Sequence, residues 1–231
     1  MKLAIHDTPK DIARDAAQIL LRTDSVLLSP DEPFTLTSGR KSPVYVDCRR
    51  LISFPEERRR LMDYGAQILK DHIGQDQIDV LAGGETAGIP YAAFLAERLD
   101  KPMVYVRKKP KGFGRMAQIE GHLEQTSPKT VLIEDLQTDG GSKDVFIKAL
   151  REAGASIEHA FVIFHYGIFE KSIENMEALG LTLHSLTDWW HVLDVAKEQE
   201  ILSPDSTKDV ENFLNAPEKW VPGNSGEKVR P

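Results

Sequence analysis

Hydrophobic residues along the chain follow two periods, and the way these periods alternate predicts a layered α/β protein. Short β-branched and aliphatic runs at residues 78–82, 103–106, 131–133 and 160–164 read as strands covered on both faces, since they lack polar alternation. Helical spacing fills the intervals: Ile89, Ala92, Ala93, Ala96 and Leu99 follow the first run, and Phe146, Ala149, Leu150 and Ala153 follow the third. Strand and helix in turn imply right-handed crossovers and a central, mainly parallel sheet flanked by helices. Residues 181–186 add an edge strand, and residues 188–200 and 205–214 carry helical patterns.

The amino-terminal part is less regular. Thr8-Pro9-Lys10-Asp11 reads as a helix start, with Thr8 as N-cap, Pro9 in the first helical position and an acid near the positive end of the dipole. That helix runs to about Arg22. Residues 34–47 read as extended, broken at Ser38-Gly39-Arg40-Lys41-Ser42-Pro43 by a hairpin-like turn bearing two bases. Ser53-Phe54-Pro55-Glu56 resembles a capping box, and Leu61, Tyr64, Gly65, Ile68 and Leu69 give the next helix an apolar face, leaving Arg58, Arg59 and Arg60 on its solvated side. Residues 222–231 read as a flexible tail.

A chain of 231 residues with 41% hydrophobic content suits one domain, residues 1–221, and excludes two full ones. Its formal net charge of −7 argues against a general nucleic-acid or membrane-surface binder. Residues 1–7 lack the apolar core of a signal peptide, and no stretch approaches the roughly 18 to 20 apolar residues of a membrane span. Cys48 is the one cysteine, which excludes internal disulfides and a cysteine-rich zinc site and fits a reducing cytosol; its expected role is that of a small buried hydrophobe. A soluble cytoplasmic protein is expected. The seven histidines show no ligand spacing; His165, beside a strand end, reads more readily as a core or surface histidine than as a catalytic one.

Candidate chemistry concentrates after the run at residues 131–133. Glu134-Asp135-Leu136-Gln137-Thr138-Asp139-Gly140-Gly141-Ser142 joins that strand to the next helix, where open α/β sheets bind ligands and backbone N–H groups favour phosphate oxygens. Gly140 and Gly141 let the main chain approach an anion, and Thr138 and Ser142 add hydroxyl donors. Glu134 and Asp135 would repel phosphate but suit sugar hydroxyls, so the segment reads as a ribose-phosphate site. The alternative is a plain strand-to-helix turn capped by Ser142. Neither a G-x-G-x-x-G nor a Walker ending is present.

A second segment changes the picture. Arg107-Lys108-Lys109-Pro110-Lys111-Gly112-Phe113-Gly114-Arg115 places five cations in nine residues of an acidic protein, and its proline and glycines oppose a helix. The polar stretch continues to Ser127, long for a connection in a compact domain, and suggests a functional loop. Beside a phosphate loop such charge suits a diphosphate; a solvated loop or an RNA contact is the alternative.

Together these segments resemble the orotate phosphoribosyltransferase family of the type I phosphoribosyltransferases. Residues 134–142 resemble its phosphoribosyl diphosphate motif, residues 34–43 its amino-terminal signature, residues 107–111 its mobile catalytic loop, residues 83–90 its diphosphate-contacting loop, and residues 192–199 the carboxyl-terminal region of one bacterial branch. The resemblance implies the type I fold with a small amino-terminal hood within residues 1–50. It also implies magnesium-dependent conversion of orotate and phosphoribosyl diphosphate to orotidine monophosphate and diphosphate, in a homodimer whose basic loop is shared between subunits. By the same resemblance Lys111, Glu134 and Asp135 are catalytic. Arg107, Lys108, Lys111, Thr86, Ala87 and residues 134–142 (Glu134, Asp135, Leu136, Gln137, Thr138, Asp139, Gly140, Gly141 and Ser142) bind phosphoribosyl diphosphate. Phe34, Lys41 and Thr138 lie at orotate, and magnesium rides on ligand oxygens with no direct protein cage. The chain departs from the family's common pattern at Phe113 (commonly histidine), at Ala87 (often lysine), and at His165-Tyr166-Gly167, where many members carry an arginine for the orotate carboxylate. Transfer to another nucleobase, or a non-catalytic regulator on the same fold, are the competing expectations.

Overall fold

The computed structural model describes residues 5–35, 39, 41–111, 118–123, 126–141 and 143–222. In chain order the elements are α1 (Lys10–Arg22), β1 (Val26–Leu28), β2 (Phe34–Thr35), β3 (Lys41–Ser42), β4 (Val44–Val46), α2 (Pro55–His72), β5 (Val80–Gly84), α3 (Gly88–Leu99), β6 (Met103–Val106), β7 (Ile119–Glu120), β8 (Lys129–Gln137), α4 (Lys143–Glu152), β9 (Ser156–His165), α5 (Glu170–Leu179), β10 (Thr182–Asp188), α6 (Trp189–Glu198) and α7 (Pro204–Asn215). Six strands form the central sheet in the order β10-β9-β8-β5-β6-β7, all parallel except the terminal β6–β7 pair. Alternate residues of each strand serve opposite faces. Val131 and Ile133 join a core with α1, α2, α3, α6 and α7, whereas Leu132 packs with Phe146, Ile147 and Leu150 of α4 and Met176 of α5. Among the described residues no helix is long and apolar enough to cross a membrane.

The predicted strands and helices are present, and the differences have physical causes. β8 is nine residues long and extends through Gln137, because its ladder with β9 continues past the apolar run to the Gln137–His165 pair. Glu134 and Asp135 therefore stand on a strand. Thr8 does not cap α1: Pro9 holds the cap position, while the Thr8 hydroxyl donates to the Ser185 carbonyl (2.5 Å) and ties the amino terminus to the β10 edge. Nor does Ser53 cap α2. It ends a 3-10 turn (Cys48–Ser53), and Phe54 precedes Pro55 without a side-chain cap. β1, which pairs antiparallel with β4, and α5 lie outside the predicted elements. The β2–β3 hairpin falls at the predicted turn, with Leu36, Thr37, Ser38 and Arg40 outside the described residues, as is all of the predicted tail beyond Pro222.

One close approach sets the spacing of the sheet and its helices. A Cβ on Gly88, the first residue of α3, would stand 2.2 Å from the Ile133 carbonyl oxygen of β8 and 3.2 Å from the Glu134 Cα. Gly88→Ala is expected to cost about 1–3 kcal/mol or more, since two backbones must separate. Gly141, where a Cβ would find only ordinary contact, should tolerate alanine within about 0.5 kcal/mol. Urea midpoints check the pair; equal stability of the two variants would contradict this packing.

Candidate active site

Two adjacent strands of this sheet send their chains apart, and a crevice opens between them. From β5 the chain crosses through α3 to β6 on one side, while β8 continues through α4 to β9 on the other. Such a reversal is where open α/β sheets bind ligands, beyond the carboxyl ends of the strands. Pairing between β5 and β8 stops at Gly83–Ile133, yet β8 stays paired to β9 as far as Gln137. Residues 134–137 thus keep one ladder and leave the edge on the β5 side to the crevice.

The turn after β5 forms one wall. Glu85, Thr86 and Ala87 lead into α3, with Thr86 exposed, Ala87 half-buried and the Glu85–Thr86 peptide cis. The positive end of α3 lies here and would favour an anion. Glu85 Oε2 accepts from the Lys108 amide at 2.7 Å, which brings the start of the basic segment onto the same turn. Arg107 Nε is buried without a hydrogen-bond partner among the described residues, and its Nη1 stands 3.7 Å from Glu120 Oε1. Lys111 Nζ is 2.6 Å from that same oxygen. Glu120 lies on the terminal strand β7, and β6 lies two strands, about 10 Å, from β8. The structure therefore brings Arg107 and Lys108 to the crevice wall and holds Lys111 away from Glu134 and Asp135. Phe113 and Arg115 lie outside the described residues.

The acids form the floor. As consecutive strand residues they project to opposite faces. Glu134 turns toward α4, where Lys143 Nζ reaches its Oε2 at 2.5 Å. Asp135 is on the other face, near enough to Cys48 and Glu134 for mutual electrostatic effects; burial first, and then the Glu134 charge, raise its pKa above the ordinary carboxylate value. Burial and the Asp135 charge push the Cys48 thiol well up, and its backbone carbonyl accepts from the Tyr91 hydroxyl. Cys48 is a buried, protonated residue, as expected. The hairpin adjoins this side: the Phe34 ring lies 5.5 Å from that of Tyr45, and Lys41 Nζ donates to Thr35 Oγ1 at 2.7 Å.

The loop after β8 is held from beneath. Thr138 is exposed, Asp139 Oδ1 accepts from the Gly141 amide (3.1 Å), and Asn175 of α5 donates to the Asp139 carbonyl (2.7 Å). Gly140 has φ +82°, and a Cβ there would meet Met176 at 2.8 Å. Leu136 packs against the core. The Gln137 side chain is buried and donates to Ser172 Oγ at 2.7 Å; a ligand contact from Gln137 would have to use its backbone. Ser142 lies outside the described residues. On the far side of Ser172, His165 Nε2 completes the relay at 2.9 Å. Burial, with Lys143 nearby, pushes His165 down to about 4, so it is a neutral core histidine. Tyr166 stacks on Phe169 and meets Trp189 edge-on, so aromatic packing occupies this segment.

Sequence reasoning missed Lys143, Ser172 and Asn175. Lys143 was findable, because it shares the buried stripe of α4 with Phe146, Ile147 and Leu150 at spacings of three, four and seven. Ser172 and Asn175 belong to a helix whose pattern is too polar to announce itself, with only Ser172 and Met176 buried.

A family model for the phosphoribosyl transferase domain matches residues 54–192, which span the crevice and every strand of the central sheet. An orotate phosphoribosyltransferase of Cereibacter sphaeroides is 51% identical over 211 residues, covering 91% of this chain and 90% of its own. The chain belongs to the orotate phosphoribosyltransferase family. A Roseobacter denitrificans orotate phosphoribosyltransferase is 48% identical over 93% of this chain and 95% of its own. Among solved structures, orotate phosphoribosyltransferase from Aeropyrum pernix superposes with TM-score 0.64 at 28% identity, covering 80% of this chain and 99% of that one. UMP synthase of Leishmania donovani gives TM-score 0.74 at 25% identity over 89% of this chain, which spans 42% of that protein's length. The fold is that of the type I phosphoribosyltransferases.

In this member of the orotate phosphoribosyltransferase family, the loop at residues 138–141 depends on the Gln137–Ser172–His165 relay. Ser172→Ala removes the one atom that serves both neighbours and is expected to cost about 1–3 kcal/mol, because two buried polar groups lose their partner. Chemical denaturation measures this; a variant as stable as the parent would show that the relay carries no stability.

Proposed function

We propose that the protein transfers ribose 5-phosphate from phosphoribosyl diphosphate to orotate, giving orotidine 5′-monophosphate and diphosphate. The observation that carries this reading is the Gly88 contact on Ile133 and Glu134, which sets an anion-binding helix start against sugar-binding acids across one crevice. Amides of residues 138–141 and the hydroxyls of Thr138 and Ser142 would take the 5′-phosphate. Glu134 and Asp135 would accept the ribose hydroxyls, and Thr86, Ala87, Arg107 and Lys108 would hold the diphosphate; the partnerless Arg107 Nε supports this. The ring nitrogen of orotate supplies the electron pair of the new bond to C1′, and the pair of the broken C1′–O bond leaves on diphosphate. Positive charge builds on the ribose and negative charge on the leaving group, so electrostatic stabilisation is the main task. Lys111 would neutralise the diphosphate once its loop closes, and closure would exclude water.

The oxygens around the loop are carboxylate, hydroxyl and carbonyl, hard donors that suit a hydrated magnesium ion carried on diphosphate and ribose oxygens. Magnesium would add charge neutralisation on the diphosphate. Phe34, Lys41 and Thr138 would line the orotate end. The cellular setting of this reading is pyrimidine synthesis in the cytoplasm, within a single domain of residues 1–221.

Purified protein with phosphoribosyl diphosphate and magnesium is expected to deplete orotate absorbance and to leave adenine, hypoxanthine, guanine and uracil unchanged. The aromatic segment at 165–169 favours transfer to another base as the second reading, and turnover of such a base without orotate would establish it. Silence with every base would leave the regulator. Lys111→Ala should keep its thermal midpoint and lose roughly 10²-fold in kcat; full activity would remove its leaving-group role.

Lys111 sits at its own sheet edge on Glu120, which supports a loop that serves the partner of a homodimer. Mixed Lys111→Ala and Asp135→Asn subunits should then recover about a quarter of parental activity, since half of a random mixture is hybrid and each two-fold hybrid holds one intact site. Recovery no greater than the sum of the separate variants would place the loop in its own subunit's site.

A further inference from the structure

A buried lysine on the first turn of a helix is unfavourable on two counts, because its ammonium loses hydration and meets the positive end of the helix dipole. Lys143 bears both on α4. Its side chain is 1% exposed, and Nζ lies 2.5 Å from Oε2 of Glu134, itself 12% exposed. Replacing a buried ion pair with apolar groups of similar volume is often neutral or stabilising, so packing alone does not account for it. Its backbone amide donates to the Gly140 carbonyl at 3.2 Å. One residue thus joins the phosphate loop to the acidic strand. Phe146 of α4 and Gly84 of β5, neither titratable, pack on Glu134; Asp135 adjoins it on β8, and neutral His165 of β9 lies near Lys143.

We propose that Lys143 is a positioning residue for phosphoribosyl diphosphate: from behind the strand it offsets the charge of Glu134 and orients its carboxylate toward a ribose hydroxyl. Without it the Glu134 charge would stand uncompensated on its face of the strand beside a ligand rich in phosphate, and like charges at such distances oppose binding. This inference rests on the reading of the site given above. It concerns the sugar end alone, so it can be tested without any base.

Calorimetric binding of phosphoribosyl diphosphate with magnesium separates the two. Failure of the parent to bind would sink both the site reading and this inference before any variant is made. Given parental binding, Lys143→Met is expected to weaken it about tenfold or more near pH 8. Unchanged affinity would overturn the proposal. Lys143→Met/Glu134→Gln removes both charges and carries the test even where the single variant does not fold. Affinity near pH 8 within about twofold of Glu134→Gln alone supports a lysine that acts through Glu134, and a further loss of about tenfold overturns it.

Discussion

Everything at the crevice depends on β8 keeping one neighbour after losing the other. A strand with polar residues at its end would ordinarily fray into loop, but β9 continues to satisfy residues 134–137 while β5 turns away into α3. The main chain is therefore rigid where its side chains are polar. A ribose can be met by carboxylates fixed on a strand, and the loop that follows starts from a defined direction. The backbone contact of Gly88 completes the constraint by bringing the start of α3 against the same strand.

That arrangement explains which parts were legible in the residues. Apolar periodicity reports burial, so the strands at 80–84, 103–106 and 156–165 and the helices that cover them stood out. Periodicity says nothing of a ladder that continues through Glu134, Asp135 and Gln137, and so the strand's true end was hidden. α5 was hidden for a related reason. It rests on the outside of the sheet through Met176, and its contribution is polar, through Ser172 and Asn175 to the loop. Thr8 read as a cap because its spacing to Pro9 and Asp11 is right; its hydroxyl found the open edge of β10 instead, a partner distant in sequence.

Charge is distributed so that an acidic chain can present a cationic wall. The basic segment keeps its side chains usable by pairing two of them, Arg107 and Lys111, with one oxygen of Glu120. Both pairs are half-buried and share one acceptor. Lys143 and Glu134 differ in kind: they are buried, and their exchange with solvent or ligand would leave an uncompensated charge.

The end of β9 and the segment that follows are packed with rings and a neutral histidine. His165 stays uncharged, because burial, with the neighbouring Lys143, outweighs the favourable charge of Asp188. Tyr166, Phe169 and Trp189 fill the adjoining space with rings. A carboxylate on the base would therefore have to be met from the hairpin side, where Lys41 is exposed and its ammonium is held by a single neutral hydroxyl. A hydroxyl leaves the positive charge uncompensated, whereas an acid would have consumed it. The acids at 134 and 135 are thus fixed on the sheet, whereas Lys41 stands on a short two-stranded hairpin.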